Sequence, residues 1–420
     1  MKKLFSLLAM CLLMAACSSQ PDEPRMADSP VSTEENGLII TESEAISRAS
    51  QAFTYFFGDA EGVNSRSART GRATIYGMYQ SRDLDAPNPL YAVNFEEGGF
   101  VLISALRDGN SVPYAISDTG VFDTAENPAA AEFINLYLSD SDAKNDSIYK
   151  KINFDPVYEI VTEIVPEGWR TDPLDSRYFL EDKHSKSAVV RDVPVKWGQS
   201  YPYNKYCFTK SGEQALVGCM AVAVGQIAAY KKSPAMLDGY SFHWDDMTSA
   251  PSIWDLTSQG MDDVARLLSI VGNKAGMDYG VDGSGASLEG GLNAFRQMGY
   301  AKARITESRS DCINSLPSLM VGSTNSGVGH AWVVDGYKYE RTEIVRHPKT
   351  NHSVTIPYLG YSNGYLKFNW GWNGSCDGYY MYIHGSFDAS MSSSWNTTEY
   401  NFAPRNDLVF SKGFKYIVGI

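Results

Sequence analysis

The chain is 420 residues long, more than one ordinary hydrophobic core fills, so two domains are the starting expectation. It is 43% hydrophobic and 20% charged, a globular composition, and it carries 26 tyrosines. A formal net charge of −13 and a pI near 5.0 exclude nucleic acid or an anionic lipid surface as the main partner.

Residues 1–17 have the pattern of an export signal. Lys2 and Lys3 form a charged start, Leu4 to Met14 an apolar stretch, and Ala15-Ala16-Cys17 a small-residue cleavage site. The apolar stretch is too short to span a bilayer as a mature helix. Cleavage before a cysteine followed by Ser18-Ser19-Gln20 resembles a bacterial lipoprotein signal with Cys17 as the lipidated residue; Met14 stands where leucine is usual, and an ordinary secretory signal is the alternative. Residues 18–37, rich in Pro, Ser, Asp and Glu without periodicity, are expected to be a flexible tether.

Residues 38–170 are expected to be a small α+β unit. Thr41-x-x-Glu44 is a capping box, and Ala45, Ile46, Ala49, Ala52, Phe53 and Phe56 share one helical face. Strands are expected at Ala73–Tyr79, Tyr91–Phe95 and Phe100–Ser104, the last two joined by a Glu-Glu-Gly-Gly hairpin, and Asn127-Pro128 opens a helix running to Tyr137. Residues 171–191, with Lys183, Lys186 and Arg191 among small and polar residues, predict an exposed linker open to proteolysis.

From 192 to 420 the order is helices first, sheet second. Leu216, Met220, Ala223, Ile227 and Tyr230 fall three or four apart, predicting a helix with Cys219 in its first turn and Lys231, Lys232 and Pro234 at its end. A thiol in a first turn sits where the helix dipole favours the thiolate, although a lone helical cysteine is more often a small buried side chain. Met261–Ala275 predicts a second helix, and the Gly/Ser loop after Met277-Asp-Tyr-Gly280 ends at Ser287, which can cap a third over Leu288–Met298. Strands are expected at His330–Asp335, Leu366–Asn369 and Tyr379–Ile383. Cys207, Cys219, Cys312 and Cys376 show no Cys-x-x-Cys spacing, so no zinc or other metal is implied, and no organic cofactor either. Disulfides among Cys207, Cys312 and Cys376 are left open.

A nucleophilic cysteine needs a base, an orienting group and an oxyanion donor. Of His243, His330, His347, His352 and His384, His330 is best placed, at a strand start after Gly329. His347 and His352 lie in a polar hairpin-like region that predicts surface positions, while His243 and His384 have aromatic neighbours. Gln199 can offer its amide beside the Cys219 N–H, and Asn369 can accept from the histidine while Trp370 shields that bond.

The order Gln…Cys…His…Asn-Trp on a helix-then-sheet domain is that of papain-like cysteine proteases. The blocks Gln199-x-x-Pro-Tyr-Asn204, Gly218-Cys-Met-Ala-Val-Ala-Val-Gly-Gln226, Met277-Asp-Tyr-Gly280, Gly329-His-Ala-x-Val-Val-Asp-Gly336 and Asn369-Trp-Gly-Trp-x-Gly374 resemble the streptopain family. The resemblance implies an α+β fold: a papain-like catalytic domain over 192–420, with a helical half and an antiparallel β half, preceded by an inhibitory propeptide over 38–170. It implies a secreted endopeptidase made as a zymogen, with Cys219 as nucleophile and His330 as general base. Gly329, Ser284 or Ser287, and Trp372 are expected to contact substrate. In that family a tryptophan after the asparagine flanks the histidine, so the third partner stays open between Asn369 and Trp370. The implied partners are protein or peptide substrates, the chain's own propeptide, and a membrane through the lipid anchor only, with cleavage of the linker releasing the catalytic part outside the cell. Two alternatives stand beside this reading: an acyltransferase or transglutaminase-like enzyme, for which Asp335 offers a third residue, and a catalytically dead surface-binding lipoprotein.

Overall fold

The computed structural model describes residues 39–57, 69–76, 89–107, 112–124, 166, 168–172, 176–323, 329–388 and 414–420. Helix α1 (Glu42–Phe57) begins on the expected capping box: the Thr41 N–H donates to Glu44 Oε2 at 2.9 Å and the Glu44 N–H to Thr41 Oγ1 at 3.2 Å. Its buried face, Ala45, Ala49, Phe53, Phe56 and Phe57, lies on a meander of β1 (Gly71–Tyr76), β2 (Leu90–Phe95), β3 (Phe100–Ser104) and β4 (Ala115–Ser117). The β2–β3 turn needs its glycines, since Gly98 and Gly99 both have φ near +90° and a Cβ on Gly99 would meet the Ser117 carbonyl at 2.6 Å. The signal segment with Cys17, the tether to residue 37 and the helix expected from Asn127 lie outside the described residues.

The meander does not close on itself. β4 pairs with β13 (Gly378–Asp388), which pairs with β12 (Ile356–Asn369), and that in turn with β11 (Gly329–Pro348). Beyond β11 come β10 (Ser318–Ser323), β14 (Lys415–Val418) and β9 (Arg304–Thr306), every pairing antiparallel. The N-terminal unit therefore extends the sheet of the C-terminal part, and Leu90, Phe100 and Leu102 share a core with Trp332, Phe368 and Trp370.

The segment expected as an open linker is instead strand β6 (Tyr178–Val190), paired with β11 from Tyr178↔Pro348 to Val190↔Gly336 and flanked by β5 (Trp169–Thr171). β11 is the reason. At 20 residues it is far longer than β10, which pairs only with Gly329–Val334 and leaves the rest of that edge to be covered. Lys183 and Lys186 of β6 stay exposed while its backbone is tied into the sheet.

The helical half packs on the opposite face. Helix α2 (Cys219–Lys231) contacts α3 (Ser258–Lys274), α4 (Leu288–Gln297) and β11. The amphipathic stripe read from Leu216 to Tyr230 understates α2, because every residue from Met220 to Ala229 is buried; a helix apolar all round belongs inside a core. Thr257 and Ser287 cap α3 and α4 by accepting from Gly260 and Gly290 N–H. Met236–Leu237 (β7) and Tyr240–Ser241 (β8) form a small separate hairpin. Cys207, Cys219, Cys312 and Cys376 are all free. Among the described residues no helix is long and apolar enough to cross a membrane.

Candidate active site

Cys219 is the first residue of α2. Gly218 precedes it at φ 89°, and a Cβ there would meet Met277 Sδ at 2.6 Å and the Ser284 carbonyl at 2.9 Å, so the turn that delivers the cysteine requires glycine. The Cys219 sulfur is half-buried and receives the backbone N–H groups of Met220 and of Ala331, the residue after His330. That contact joins the helical half to β11 at the site. Burial pushes the thiol pKa up and outweighs those N–H groups, so the helix-dipole activation expected from sequence does not by itself make a thiolate here.

His330 Nε2 lies 3.1 Å from the Trp370 backbone oxygen. A carbonyl only accepts, so Nε2 carries the proton and Nδ1 is left with the lone pair. Burial pulls the His330 pKa down to about 4, partly offset by the Trp370 bond. A neutral His330 in this tautomer leaves Nδ1 able to take a proton. The ring stacks on Trp332 at 5.8 Å and Trp372 at 6.3 Å, with Trp370 tilted at 6.1 Å. Three indoles shield the His330–Trp370 bond from water.

Asn369 does not orient the histidine. Its Nδ2 donates to the Val195 carbonyl at 2.9 Å and its Oδ1 accepts from Gly371 N–H at 3.2 Å, so its amide holds the turn rather than the ring. The turn is held again by Asp377, whose carboxylate accepts from Trp370 N–H at 2.8 Å. Burial raises the Asp377 pKa to about 7. The Asp335 carboxylate accepts from Val193 N–H, and the His330 Nε2–H faces the Trp370 carbonyl rather than Asp335.

Gln199 is buried, its carbonyl fixed by Val217 N–H at 3.0 Å, two residues before Cys219. Its side-chain amide has no hydrogen-bond partner among the described residues. The segment is anchored to α2 by Gln226 Oε1, which accepts from Trp197 N–H at 3.0 Å. The Cys219 N–H belongs to the first turn, where helix donors lack carbonyl partners. Amide donors and an imidazole are the groups that holding an oxyanion and moving a proton require.

The expected substrate residues separate. Gly329 is exposed at the start of β11 with open space around its Cα, and Trp372 is partly buried. Ser284 donates to the Leu216 carbonyl at 2.7 Å and accepts from Gly280 N–H, while Ser287 caps α4. The Ser284 hydroxyl is thereby committed within the loop, whereas Ser287 is exposed and only accepts. His347, expected at the surface, is 4% exposed, bonded to Glu181 at 2.8 Å and stacked on Trp169 at 3.9 Å; His352 and His243 are exposed. Trp332, Gln226 and Asp377 were not singled out from the sequence. Gln226 alone carried a signal, as a polar residue two turns after Cys219 inside an otherwise apolar run.

Comparison with known proteins bears on the same residues. Residues 197–380, which contain Gln199, Cys219, His330 and Trp370, match the model of the Peptidase C10 family. The chain is 22% identical over 247 residues to the thiol protease/hemagglutinin PrtT of Porphyromonas gingivalis, covering 49% of this chain but only 26% of that protein. It is 22% identical over 344 residues to streptopain of Streptococcus pyogenes, covering 69% of this chain and 73% of streptopain. Among solved structures, a prointerpain A fragment of Prevotella intermedia is 19% identical with a TM-score of 0.46, covering 83% of this chain and 98% of that one. The match over 197–380 and the likeness to streptopain support a streptopain-like cysteine peptidase of the Peptidase C10 type.

Proposed function

We propose that this chain is an exported cysteine endopeptidase made as an inactive precursor, with residues 38–170 as its propeptide and 192–420 as its catalytic part. Cys219 is the nucleophile. Its proton passes to His330 Nδ1, the thiolate adds to the scissile carbonyl carbon, and the oxyanion is held by the Cys219 N–H and the Gln199 amide. Collapse breaks the C–N bond as His330 returns the proton to the leaving amine. His330 then takes a proton from water, whose oxygen attacks the thioester and frees Cys219. The Trp370 carbonyl orients the imidazole throughout, and Gly329 and Trp372 flank the bound peptide. A lipid on Cys17 tethers the precursor to the membrane, and maturation releases the catalytic part.

The observation that carries this reading is the contact of the Cys219 sulfur with Ala331 N–H, beside a His330 whose tautomer leaves Nδ1 ready for a proton. The test is to incubate purified protein with casein, with and without a thiol-reactive epoxide inhibitor. Cleavage that the inhibitor abolishes supports the peptidase; incorporation of a free amine without cleavage identifies a transferase; neither activity, even after the 171–191 segment has been cut, identifies a binding protein.

A further inference from the structure

Asp335 lies five residues after His330, at the bulge between Val334 and Gly336 where the β11 edge passes from β10 to β6. It is 3% exposed. Oδ2 accepts from Val193 N–H at 3.1 Å, while Oδ1 is buried and has no hydrogen-bond partner among the described residues. Two cationic or anionic side chains act on it: Lys367, whose ammonium is bonded to Asp192, and Asp192 itself. A buried carboxylate with one oxygen unanswered is costly, and this one already faces a backbone nitrogen.

That nitrogen stands at a boundary. Arg191, just after the end of β6, donates its N–H to the Asp335 carbonyl at 2.6 Å; Arg191 and Asp192 are exposed, and Val193 turns inward. We infer that Asp335 is the receptor for the N-terminus of the mature catalytic part: hydrolysis of the Asp192–Val193 bond leaves the α-ammonium of Val193 paired with the Asp335 carboxylate. The inference rests on the precursor reading above.

The chemistry balances. Water supplies a hydroxyl to the Asp192 carbonyl carbon and a proton to the Val193 nitrogen. The amine, with an ordinary pKa of about 8 that a neighbouring carboxylate raises, takes a further proton from solvent. An amide offered one donor; the ammonium offers three, enough to keep Oδ2 and supply Oδ1. The cut also detaches Asp192, whose charge opposes ionisation of Asp335. Pro194 defines the end point, because the Val193–Pro194 bond is a tertiary amide that stepwise trimming enzymes cleave poorly, so upstream cuts trimmed residue by residue stop at Val193. The ion pair then ties the new terminus to the strand that carries His330.

The experiment uses the full-length Cys219→Ala precursor, with Asp335 intact or as Asp335→Asn, converted in trans by active enzyme. N-terminal sequencing, labelling of the α-amine with an amine-reactive ester, and thermal melts of precursor and product are the readouts. We expect the product to begin at Val193, its α-amine to be protected when folded and labelled when unfolded, and Asp335→Asn to lower the Tm of the product by about 5 °C while barely moving the precursor. A product beginning elsewhere, a folded α-amine labelled as fast as in a free peptide, or an equal Tm loss in precursor and product overturns the inference while leaving the precursor reading intact. No conversion at all overturns both. Should Asp335→Asn fail to fold, sequencing and amine protection in the Asp335 protein decide alone.

Discussion

His330 is oriented by the main chain of Trp370, its Nε2–H meeting the carbonyl at 3.1 Å, while the neighbouring Asn369 amide is spent on Val195 and Gly371. Losing the Asn369 side chain should therefore act on stability and leave the ionisation of the histidine alone. Asn369→Ala is expected to cost about 1–3 kcal/mol, the penalty for stranding a buried carbonyl and N–H. Denaturant midpoints should show that loss, and the pH profile of kcat/KM should keep its shape. A shifted acid limb would mean that the Asn369 amide reaches the ring during turnover.

Gln199 predicts the opposite pattern. Its amide has no partner to strand among the described residues, so Gln199→Ala should leave the unfolding midpoint within error while slowing turnover by about 10²–10³-fold, the effect of one oxyanion donor. Near-normal kcat in the purified variant would remove Gln199 from the mechanism.

These two residues also show what was legible before the structure. The Cys219 helix and the His330 strand were readable because their apolar periodicity and flanking residues are local properties. The group facing the His330 ring was not, because a backbone carbonyl has no letter of its own; the sequence left Asn369 and Trp370 open, and it is the Trp370 main chain that meets Nε2. β6 was misread for a related reason. Its exposed Lys183, Ser185 and Lys186 look like a linker, and only the length of β11 turns that segment into a strand. His347 is buried by Trp169 and Glu181, residues more than 160 positions away, which no local pattern encodes.

Gly218 should tolerate no side chain. Gly218→Ala places a Cβ against both a flexible sulfur and the Ser284 main-chain oxygen, in a left-handed conformation. The strain alone is of order 1–3 kcal/mol, and the Ser284 contact cannot be relieved by a rotamer change. We expect a lower melting temperature and loss of active-site labelling by a thiol-reactive inhibitor, and Met277→Ala in the same chain should not restore either.

Asp377 gives a pH signature of defined sign. Its folded pKa, about 7, is above the ordinary aspartate value of 3.8, so between those values the native state holds a proton that the unfolded state has released. Stability from this group is therefore present at low pH and lost as pH rises through about 7. Lys196 and Lys367 oppose the shift and Asp335 adds to it. Asp377→Asn keeps an oxygen for Trp370 N–H but cannot ionise, so its stability should fall less than that of the parent chain from pH 5 to pH 8. Melts across that range check it; parallel curves would mean that Asp377 is already ionised at pH 5.

The N-terminal unit is latched by cations at the end of α1. Lys338 Nζ donates to the Phe56 carbonyl at 2.8 Å and lies over the Phe56 ring at 4.2 Å and the Phe57 ring at 4.8 Å; Lys186 Nζ donates to the Tyr55 carbonyl at 3.3 Å. Cations at a helix C-terminus complement its dipole, and the rings add cation–π attraction. Lys338→Met keeps the apolar stem and deletes the charge, at an expected cost of about 1–3 kcal/mol. The latch joins α1 to β11, so under the proposed precursor reading the loss should fall on the precursor: faster amide exchange in α1 and higher residual activity before maturation, with mature kcat/KM unchanged. Equal destabilisation of precursor and mature enzyme would show that Lys338 serves β11 itself rather than the docking of α1.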